Sequence, residues 1–407
     1  MGKSDTPFEY HDTDYYVACV GDNGGTDNFG IREGFRKSVN LLINAIKHGE
    51  SEDELIYPIV YSARHSIELS MKIIIENIFC IYEIKSIGFN EADKKKIYTH
   101  DIEVLDSIIT KYYNVDKRIS EFYDKVSSYL KDYFFDVDGD AFKYEADING
   151  NPHMITHGIS SISIDILEEK FNKLMPIFDS LIFELYYLCK EYKIGTFTKS
   201  LSREDIMNIA STLPKRNKWK ESCFADAKDN IKAKYKIGSK EFSEALNIIQ
   251  NHREFCVLIG MEKMFGDISE DELREYARLV ISMEEYKEEN NFQGRLSEKT
   301  AKTFLWEIQD RGQKRKKLSR KISDTTISYL MTFREYGKSI SCFSENAEDI
   351  FSYMQGIGLN RMDTLKKVEK LDVCKQILLG MKICGQVTYQ KIIKEEFYKL
   401  EKIILIQ

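Results

Sequence analysis

The sequence DELIYPIVYSARHSIELSMKIII, residues 53–75, decides the fold of the first half of the chain. Its apolar side chains recur every three or four positions from Ile56 onward, which is the spacing of a helix with a buried face. Arg64, His65 and Glu68 interrupt that face and form what we call the polar patch. The stretch therefore predicts a long, well-buried helix that carries three polar groups.

The same periodicity predicts helices on both sides of this stretch. The expected helices lie near residues 31–48, 99–109, 117–133 and 160–192, the last interrupted or offset near Pro176. The chain contains only 5 prolines, none after Pro214, so few residues oppose helix formation. Residues 322–344 leave a short β-hairpin open as an alternative to helix. We predict an all-α fold.

The length of the chain indicates more than one domain. Its 407 residues exceed the usual size of a single domain, which is about 100–200 residues. A long predicted helix ends near Gly195, and Ser202 with Asp205 has the spacing of a capping box at the start of the next one. We therefore expect a helical domain with an N-terminal loop segment over residues 1–195, and a second helical domain over residues 196–407.

The composition excludes several classes of protein. The formal net charge of −7 argues against a protein that coats nucleic acid with its whole surface. No apolar stretch approaches the roughly 20 residues of a membrane span, and the N-terminus lacks the apolar core of a secretory signal. The 8 cysteines are scattered without a CxxC pair, which predicts reduced thiols. We expect a cytoplasmic protein with no membrane contact and no cofactor.

Three short motifs follow one another in an order known from one superfamily. They are RHSIEL within the helix quoted above, THDIEVLDSII at 99–109 and DAFKYEADINGN at 140–151. This order resembles the helical HEPN proteins of bacteria, which pair an RH-x-x-E-L helix with a later HDL helix and an FRYP-x-D-x-x-G loop. The resemblance covers roughly residues 30–190. It implies a HEPN-like bundle, often a homodimer, followed here by a second helical domain of unknown role.

The resemblance also implies a function that involves RNA. Many HEPN proteins cleave RNA, or partner a nucleotidyltransferase, in toxin–antitoxin and phage-defence systems. The nucleases carry an arginine and a histidine separated by four to six residues, and no arginine here precedes a histidine at that spacing. A metal-independent endoribonuclease is one hypothesis. The alternative is a non-catalytic helical scaffold or sensor that binds a protein partner.

The polar patch supplies candidate catalytic groups. Helical spacing places Arg64 and His65 close to Glu68. An imidazole oriented by a carboxylate can deprotonate a ribose hydroxyl while an arginine neutralises the phosphate. His100 and Asp101 open a later helix, where the positive end of the helix dipole favours anions. We predict Arg64, His65, Glu68 and His100 as catalytic residues and Asp101 as a binding residue.

A structural interpretation of the same residues stays open. Arg64 and Lys72 can neutralise Glu68 in a salt-bridged stripe, and Asp101 can serve only as a helix cap. The catalytic interpretation requires the polar patch to share a cleft with the helix that begins near His100. The loop that follows at 142–151 should then lie along this cleft, with Lys143 and Tyr144 as binding residues.

Two basic segments are candidates for contact with phosphates. Residues 311–321, RGQKRKKLSRK, carry seven positive charges and no acid. From them we predict RNA contacts by Lys314, Arg315, Lys316 and Lys317. The alternative is a solvated helix end that pairs with the acidic residues 284–289. A second basic segment, residues 215–220, surrounds Trp219, whose ring is able to stack on a base.

Two patterns resemble metal sites without completing one. His153 and His157 are four residues apart but lack a third ligand. The alternating aspartates of DVDGD, residues 136–140, lack the remaining positions of a calcium loop, so a turn is the better interpretation. We predict no metal site.

Overall fold

The computed structural model describes residues 27–292, 320–338, 343–358 and 360–400, with short pieces at 8, 15–21, 24, 309–310, 312–313 and 315–317. Over these residues every regular element is a helix, and the nearest approach to a strand is an isolated antiparallel bridge between Ala146 and Pro152. The all-α prediction is confirmed. Within the same residues, no helix combines the length and apolar composition needed to span a bilayer.

The chain divides into two compact units, residues 1–193 and residues 194–407. The described part of the first unit contains helices α1 (Asn28–Lys47), α2 (Glu52–Ile84), α3 (Glu91–Lys95), α4 (Ile102–Tyr112), α5 (Lys117–Tyr123), α6 (Ser127–Leu130), α7 (His153–Thr156) and α8 (Ile164–Lys193). Helix α2 is the centre of this unit because it packs against α1, α4 and α8. Its apolar face, including Ile67, Met71 and Ile74, is fully buried.

Two predicted helices differ from the structure in their continuity. The segment 117–133, expected as one helix, is broken between α5 and α6, although Tyr123, Val126 and Leu130 keep the buried spacing of a single helix. Periodicity alone therefore did not reveal the break. Conversely, α8 passes through Pro176 without ending.

The described part of the second unit contains helices α9 (Arg203–Thr212), α10 (Ser222–Tyr235), α11 (Ser239–Asn251), α12 (Arg253–Leu258), α13 (Glu270–Phe292), α14 (Asp324–Lys338), α15 (Ala347–Gly356), α16 (Arg361–Val368), α17 (Leu371–Ile383) and α18 (Val387–Lys399). Helix α14 shows that the hairpin alternative is wrong over residues 324–338. One apolar core lies under α9 to α12, and a larger one is built from α13 to α18.

Helices α14 and α17 approach each other with their backbones nearly in contact. A Cβ atom added at Gly380 would lie 1.7 Å from the carbonyl oxygen of Phe333, and one added at Gly337 would lie 1.9 Å from that of Gln376. Real Cβ atoms do not tolerate such distances. The two glycines therefore permit the close packing of this helix pair.

We predict that Gly380→Ala destabilises the protein by about 1–3 kcal/mol or more, because the added methyl group forces α14 and α17 apart. Gly356→Ala is the matched control, since its added methyl group meets open space and alanine favours helix by about 1 kcal/mol. Urea unfolding monitored by circular dichroism measures both. Equal effects of the two substitutions would contradict the packing argument.

Candidate functional site

The site is built around the carboxylate of Glu68, which is 1% exposed and belongs to α2. Lys72 Nζ donates to Glu68 Oε1 over 2.8 Å, and His100 Nδ1 lies 3.1 Å from the same oxygen. Arg64 Nη1 donates to Glu68 Oε2 over 3.2 Å, and His65 Nδ1 lies 3.9 Å from that oxygen. The structure therefore brings together the three residues of the polar patch and His100.

Arg64 is held from several directions by groups distant in sequence. Its Nη2 donates to the carbonyl oxygen of His100 over 2.6 Å and to that of Asp136 over 2.5 Å. Its Nε lies 3.0 Å from Asp136 Oδ2 in a second ion pair, and both side chains are buried. This guanidinium joins α2, the segment before α4 and the loop at 136–141. The hydrogen bonds and ion pairs of Arg64 are thus made with groups of the protein itself.

The loop at 136–141 is shaped to reach Arg64. Asp136 Oδ1 accepts the backbone N–H groups of Asp140 and Ala141, which closes the loop on itself. Gly139 has a φ of +71°, and a Cβ atom there would lie 2.8 Å from Arg64 Nη1. Only glycine meets both conditions without strain. DVDGD is therefore a turn, and its first aspartate and its glycine both serve Arg64.

The two imidazoles of the site remain accessible to solvent. The side chain of His65 is 24% exposed, and that of His100 is 57% exposed. The His65 ring lies edge-on against Phe35, with centroids 4.5 Å apart, and stacks on Tyr61 at 5.8 Å. These contacts orient His65 while leaving part of the ring open. Two histidines from separate elements thus approach the two oxygens of one carboxylate.

Glu68 keeps its negative charge over the whole physiological range. Burial by itself would raise the pKa of Glu68. Interactions with His65 and Lys72 and the electrostatic interaction with His100 outweigh burial and lower the pKa from 4.5 to about 2. A carboxylate with a depressed pKa contributes stability above its unfolded pKa and loses that contribution as pH falls through its folded pKa. The site therefore contains a permanent anion beneath two imidazoles.

The neighbouring loop approaches the site through Lys143. Its Nζ lies 5.6 Å from the centroid of the Tyr61 ring, which in turn stacks on His65, and it pairs with Asp140 Oδ1 at 2.7 Å. Tyr144 is 62% exposed. Asp101 is the N-cap of α4, where Oδ1 accepts the N–H groups of the first turn. Its observed role is that of a cap.

The predicted basic contacts are distributed unevenly. Lys314 lies outside the described residues. Arg315 is largely buried in a two-bond ion pair with Glu369, at 2.7 and 2.5 Å, so its charge is already matched. Lys316 and Lys317 are exposed.

In the second basic segment, the Trp219 ring is half-buried and stacks on Phe224 at 4.8 Å. Packing against Phe224 occupies part of the surface that base stacking requires.

Among the described residues, one group has the proximity of metal ligands, namely His252, Glu254 and Glu345 in the second unit. Arg203 donates to both of these carboxylates, at 2.5 Å to Glu254 and 2.8 Å to Glu345. His252 Nδ1 accepts the N–H of Phe255, and its Nε2 lies 2.8 Å from Glu345. Arg203 therefore already neutralises the two carboxylates, and the Nδ1 atom of His252 is occupied by the N–H of Phe255.

The other metal pattern stays incomplete in the structure. His153 and His157 lie one helical turn apart at α7, but no third ligand adjoins them within the described part of the chain. The His157 ring instead packs near Phe135, at 5.0 Å between centroids. This pair has the surroundings of a packed loop.

Two site residues were not among the predicted catalytic or binding residues. Lys72 was predicted only as a structural ion-pair partner of Glu68, from its i,i+4 spacing, and it forms the shortest of the polar contacts to that carboxylate. Asp136 is the second carboxylate on Arg64, and it lies 72 residues further along the chain. No local spacing could have paired Asp136 with Arg64.

Compared with protein families, with curated proteins and with solved structures, the chain matches none of them. The HEPN resemblance therefore stays a prediction that rests on the three quoted motifs.

We predict that Arg64→Lys destabilises the fold by about 3–5 kcal/mol, because a lysine cannot donate to the Glu68 carboxylate and to two carbonyls while it also pairs with the Asp136 carboxylate. Lys47→Met is the control, since it removes an exposed ion pair with Glu168 and should cost less than about 1 kcal/mol. Denaturant midpoints measure both. A loss below about 1 kcal/mol for Arg64→Lys would show that the guanidinium does not hold these elements together.

We also predict a pH dependence specific to Glu68. The interval between 4.5 and about 2 corresponds to about 3 kcal/mol that the wild type loses as pH falls through this window, and Glu68→Gln should lack that loss. Glu76→Gln on the same helix is the control, because partial burial raises the pKa of Glu76 instead. Thermal unfolding followed from about pH 6 to about pH 2 makes the comparison. Parallel curves for wild type and Glu68→Gln would contradict the assignment.

Proposed function

We propose that the first unit is a metal-independent endoribonuclease whose proton-transfer groups are His65 and His100. The observation that carries this proposal is the pair of solvent-accessible imidazoles on opposite oxygens of the buried, ionised Glu68. An imidazole is the side chain best suited to exchange protons near neutral pH. The shared carboxylate orients the His100 ring, lies near the His65 ring that Phe35 and Tyr61 orient, and stabilises either ring when it becomes cationic.

The reaction follows from this arrangement. One imidazole removes the proton of a ribose 2′-hydroxyl, whose oxygen then attacks the adjacent phosphorus. The bond from phosphorus to the 5′-oxygen breaks, and the second imidazole, in its protonated form, donates a proton to that leaving oxygen. The products are a 2′,3′-cyclic phosphate and a 5′-hydroxyl. Either imidazole can act as the base while the other acts as the acid.

Charge stabilisation in this proposal comes from Lys72 and Lys143. Lys72 lies beside the carboxylate that holds the imidazoles, and its side chain is 15% exposed. Lys143 lies over the Tyr61 ring beside His65. Cations so placed favour an approaching phosphate and the negative charge that develops on it. Arg64 acts instead as a positioning residue, because its described bonds fix Glu68 and the carbonyl of His100.

The wider biological role follows from the resemblance alone. From it we propose an RNA-directed HEPN-like protein of a bacterial defence or toxin system that acts as a cytoplasmic homodimer with a partner protein. The alternative function is a non-catalytic scaffold or sensor. The paired imidazoles favour the enzyme, because a scaffold has no need for two accessible histidines on one buried carboxylate.

We predict that His65→Ala and His100→Ala each lower RNA cleavage by about 100-fold or more, because each removes one proton-transfer group. The double variant should be little slower than either single one if the two rings act as a unit. His48→Ala is the matched control, since His48 is an exposed histidine at the end of α1. The assay follows end-labelled RNA with a chelator present, from about pH 5 to about pH 8.

Product analysis gives a second readout of the same reaction. Cyclic phosphate ends and a bell-shaped pH profile that flattens in either single variant would support the acid–base pair. Intact RNA with the wild type across this pH range, with and without divalent metals, would count against the enzyme. Binding of a protein partner by a wild type that leaves RNA intact would then favour the scaffold.

A further inference from the structure

A cavity of about 310 Å³ lies in the first unit between α2, the start of α8 and the loops that precede it. Most of its lining is apolar, with contributions from Val60, Phe135, Phe142, Ile159, Ile162 and Leu167. Its volume falls within the range of about 300–1,000 Å³ that is typical of small-molecule sites. The cavity therefore has the size and lining of a binding pocket.

The apolar packing around this cavity is incomplete. Only Val60, Ala141 and Phe142 form a buried cluster here, while Phe135, Ile162 and Leu167 pack against it with part of their surface exposed. Exposed apolar surface inside a concavity gains free energy when a ligand removes it from water. The surrounding residues thus leave room and driving force for an apolar occupant.

The charged groups of the lining are matched among themselves. Lys170 Nζ pairs with Asp132 Oδ2 at 2.6 Å, and Arg64 pairs with Asp136. Two cations therefore face two anions, and none of these charges is left over for a ligand. A charged occupant would have to give up its hydration without gaining a counter-ion, which is costly.

Tyr133 supplies a polar group that is not committed elsewhere. Its side chain lines the cavity, and within the described residues no hydrogen bond involves its hydroxyl. Burial and the nearby charge of Asp132 raise the pKa of Tyr133 above its usual value, so the hydroxyl keeps its proton. The cavity therefore offers the Tyr133 hydroxyl as a neutral donor beside apolar walls, in addition to the hydroxyl of Ser163, which accepts the N–H of Ile166.

We propose that this cavity binds an uncharged, largely apolar small molecule that carries a hydrogen-bond acceptor for the Tyr133 hydroxyl. An aromatic heterocycle or a short carbonyl compound has this chemistry, because it combines an apolar body with a single acceptor. Arg64 and Asp136 form part of the cavity wall, so an occupant rests against the ion pair that positions Glu68. The binding itself does not depend on RNA cleavage.

The test uses the full-length protein with quinoline as the probe and N-methylquinolinium as its charged analogue. Quinoline should raise the unfolding temperature saturably, because a ligand that binds the folded state stabilises it. The charged analogue should bind at least about tenfold more weakly, since no lining charge compensates it. Calorimetric titration gives both affinities.

Three variants assign the binding to this cavity. Ile162→Phe fills it and should weaken quinoline binding by about tenfold or more, whereas Ile148→Phe, at an exposed position outside the cavity, should not. Tyr133→Phe removes one hydroxyl and should weaken binding by about three- to tenfold. This last substitution keeps the ring and decides the matter if Ile162→Phe does not fold.

Several results would overturn the proposal. They are the absence of saturable quinoline binding at millimolar concentration, equal binding of the charged analogue, and unchanged affinity in Tyr133→Phe. Light scattering, which measures the oligomeric state, tests whether a second copy of the chain occupies the cavity instead. A dimer that Ile162→Phe disrupts, without quinoline binding by the wild type, would assign the cavity to an apolar side chain of a second copy.

Discussion

The charge of Arg64, buried inside the first unit, is the constraint on which the rest of the site depends. An uncompensated buried guanidinium would cost several kcal/mol, so the fold must bring acceptors to it from elsewhere in the chain. Glu68 comes from the same helix, whereas Asp136 and the carbonyl of His100 come from segments far along the sequence. Satisfying one cation therefore draws a helix, a turn and the start of another helix to one place.

The same contacts of Arg64 bring the two accessible imidazoles close to Glu68. His100 reaches Glu68 because its own carbonyl is tied to Arg64, and His65 is adjacent to Arg64 on α2. The carboxylate that neutralises the buried cation is thus the one that orients the His100 ring and lies near the His65 ring. Structural and chemical roles meet in Glu68, so a change in either partner alters both stability and the geometry of the histidines.

Much of the fold could be predicted from sequence because its strongest signals are local. The three- and four-residue spacing of apolar side chains located α1, α2, α4 and α8, and the scarcity of proline favoured helix in the second unit. The break between α5 and α6 was missed because buried residues keep helical spacing across it. The secondary structure of residues 324–338 stayed open for a different reason, because Thr, Tyr and Phe are common in strands.

The site was predictable only where its contacts are local. Helical spacing placed Arg64 and Lys72 beside Glu68, whereas the meeting of Glu68 with His100 was a requirement of the catalytic hypothesis and has no basis in spacing. The link between Arg64 and Asp136 was not foreseen, because the aspartates of DVDGD were interpreted as turn residues alone. Such long-range pairs depend on how helices pack, which periodicity does not encode.

The bare backbone contact between α14 and α17 sets the alignment of these two helices as well as their distance. Sliding one helix by a single residue would bring a side chain where Gly337 or Gly380 now meets a carbonyl oxygen. Apolar faces elsewhere can exchange one leucine or isoleucine for another and still pack. Here steric exclusion leaves one acceptable register. The apolar core stabilises the packing of helices in general, and these two glycines determine the register in which α14 and α17 pack.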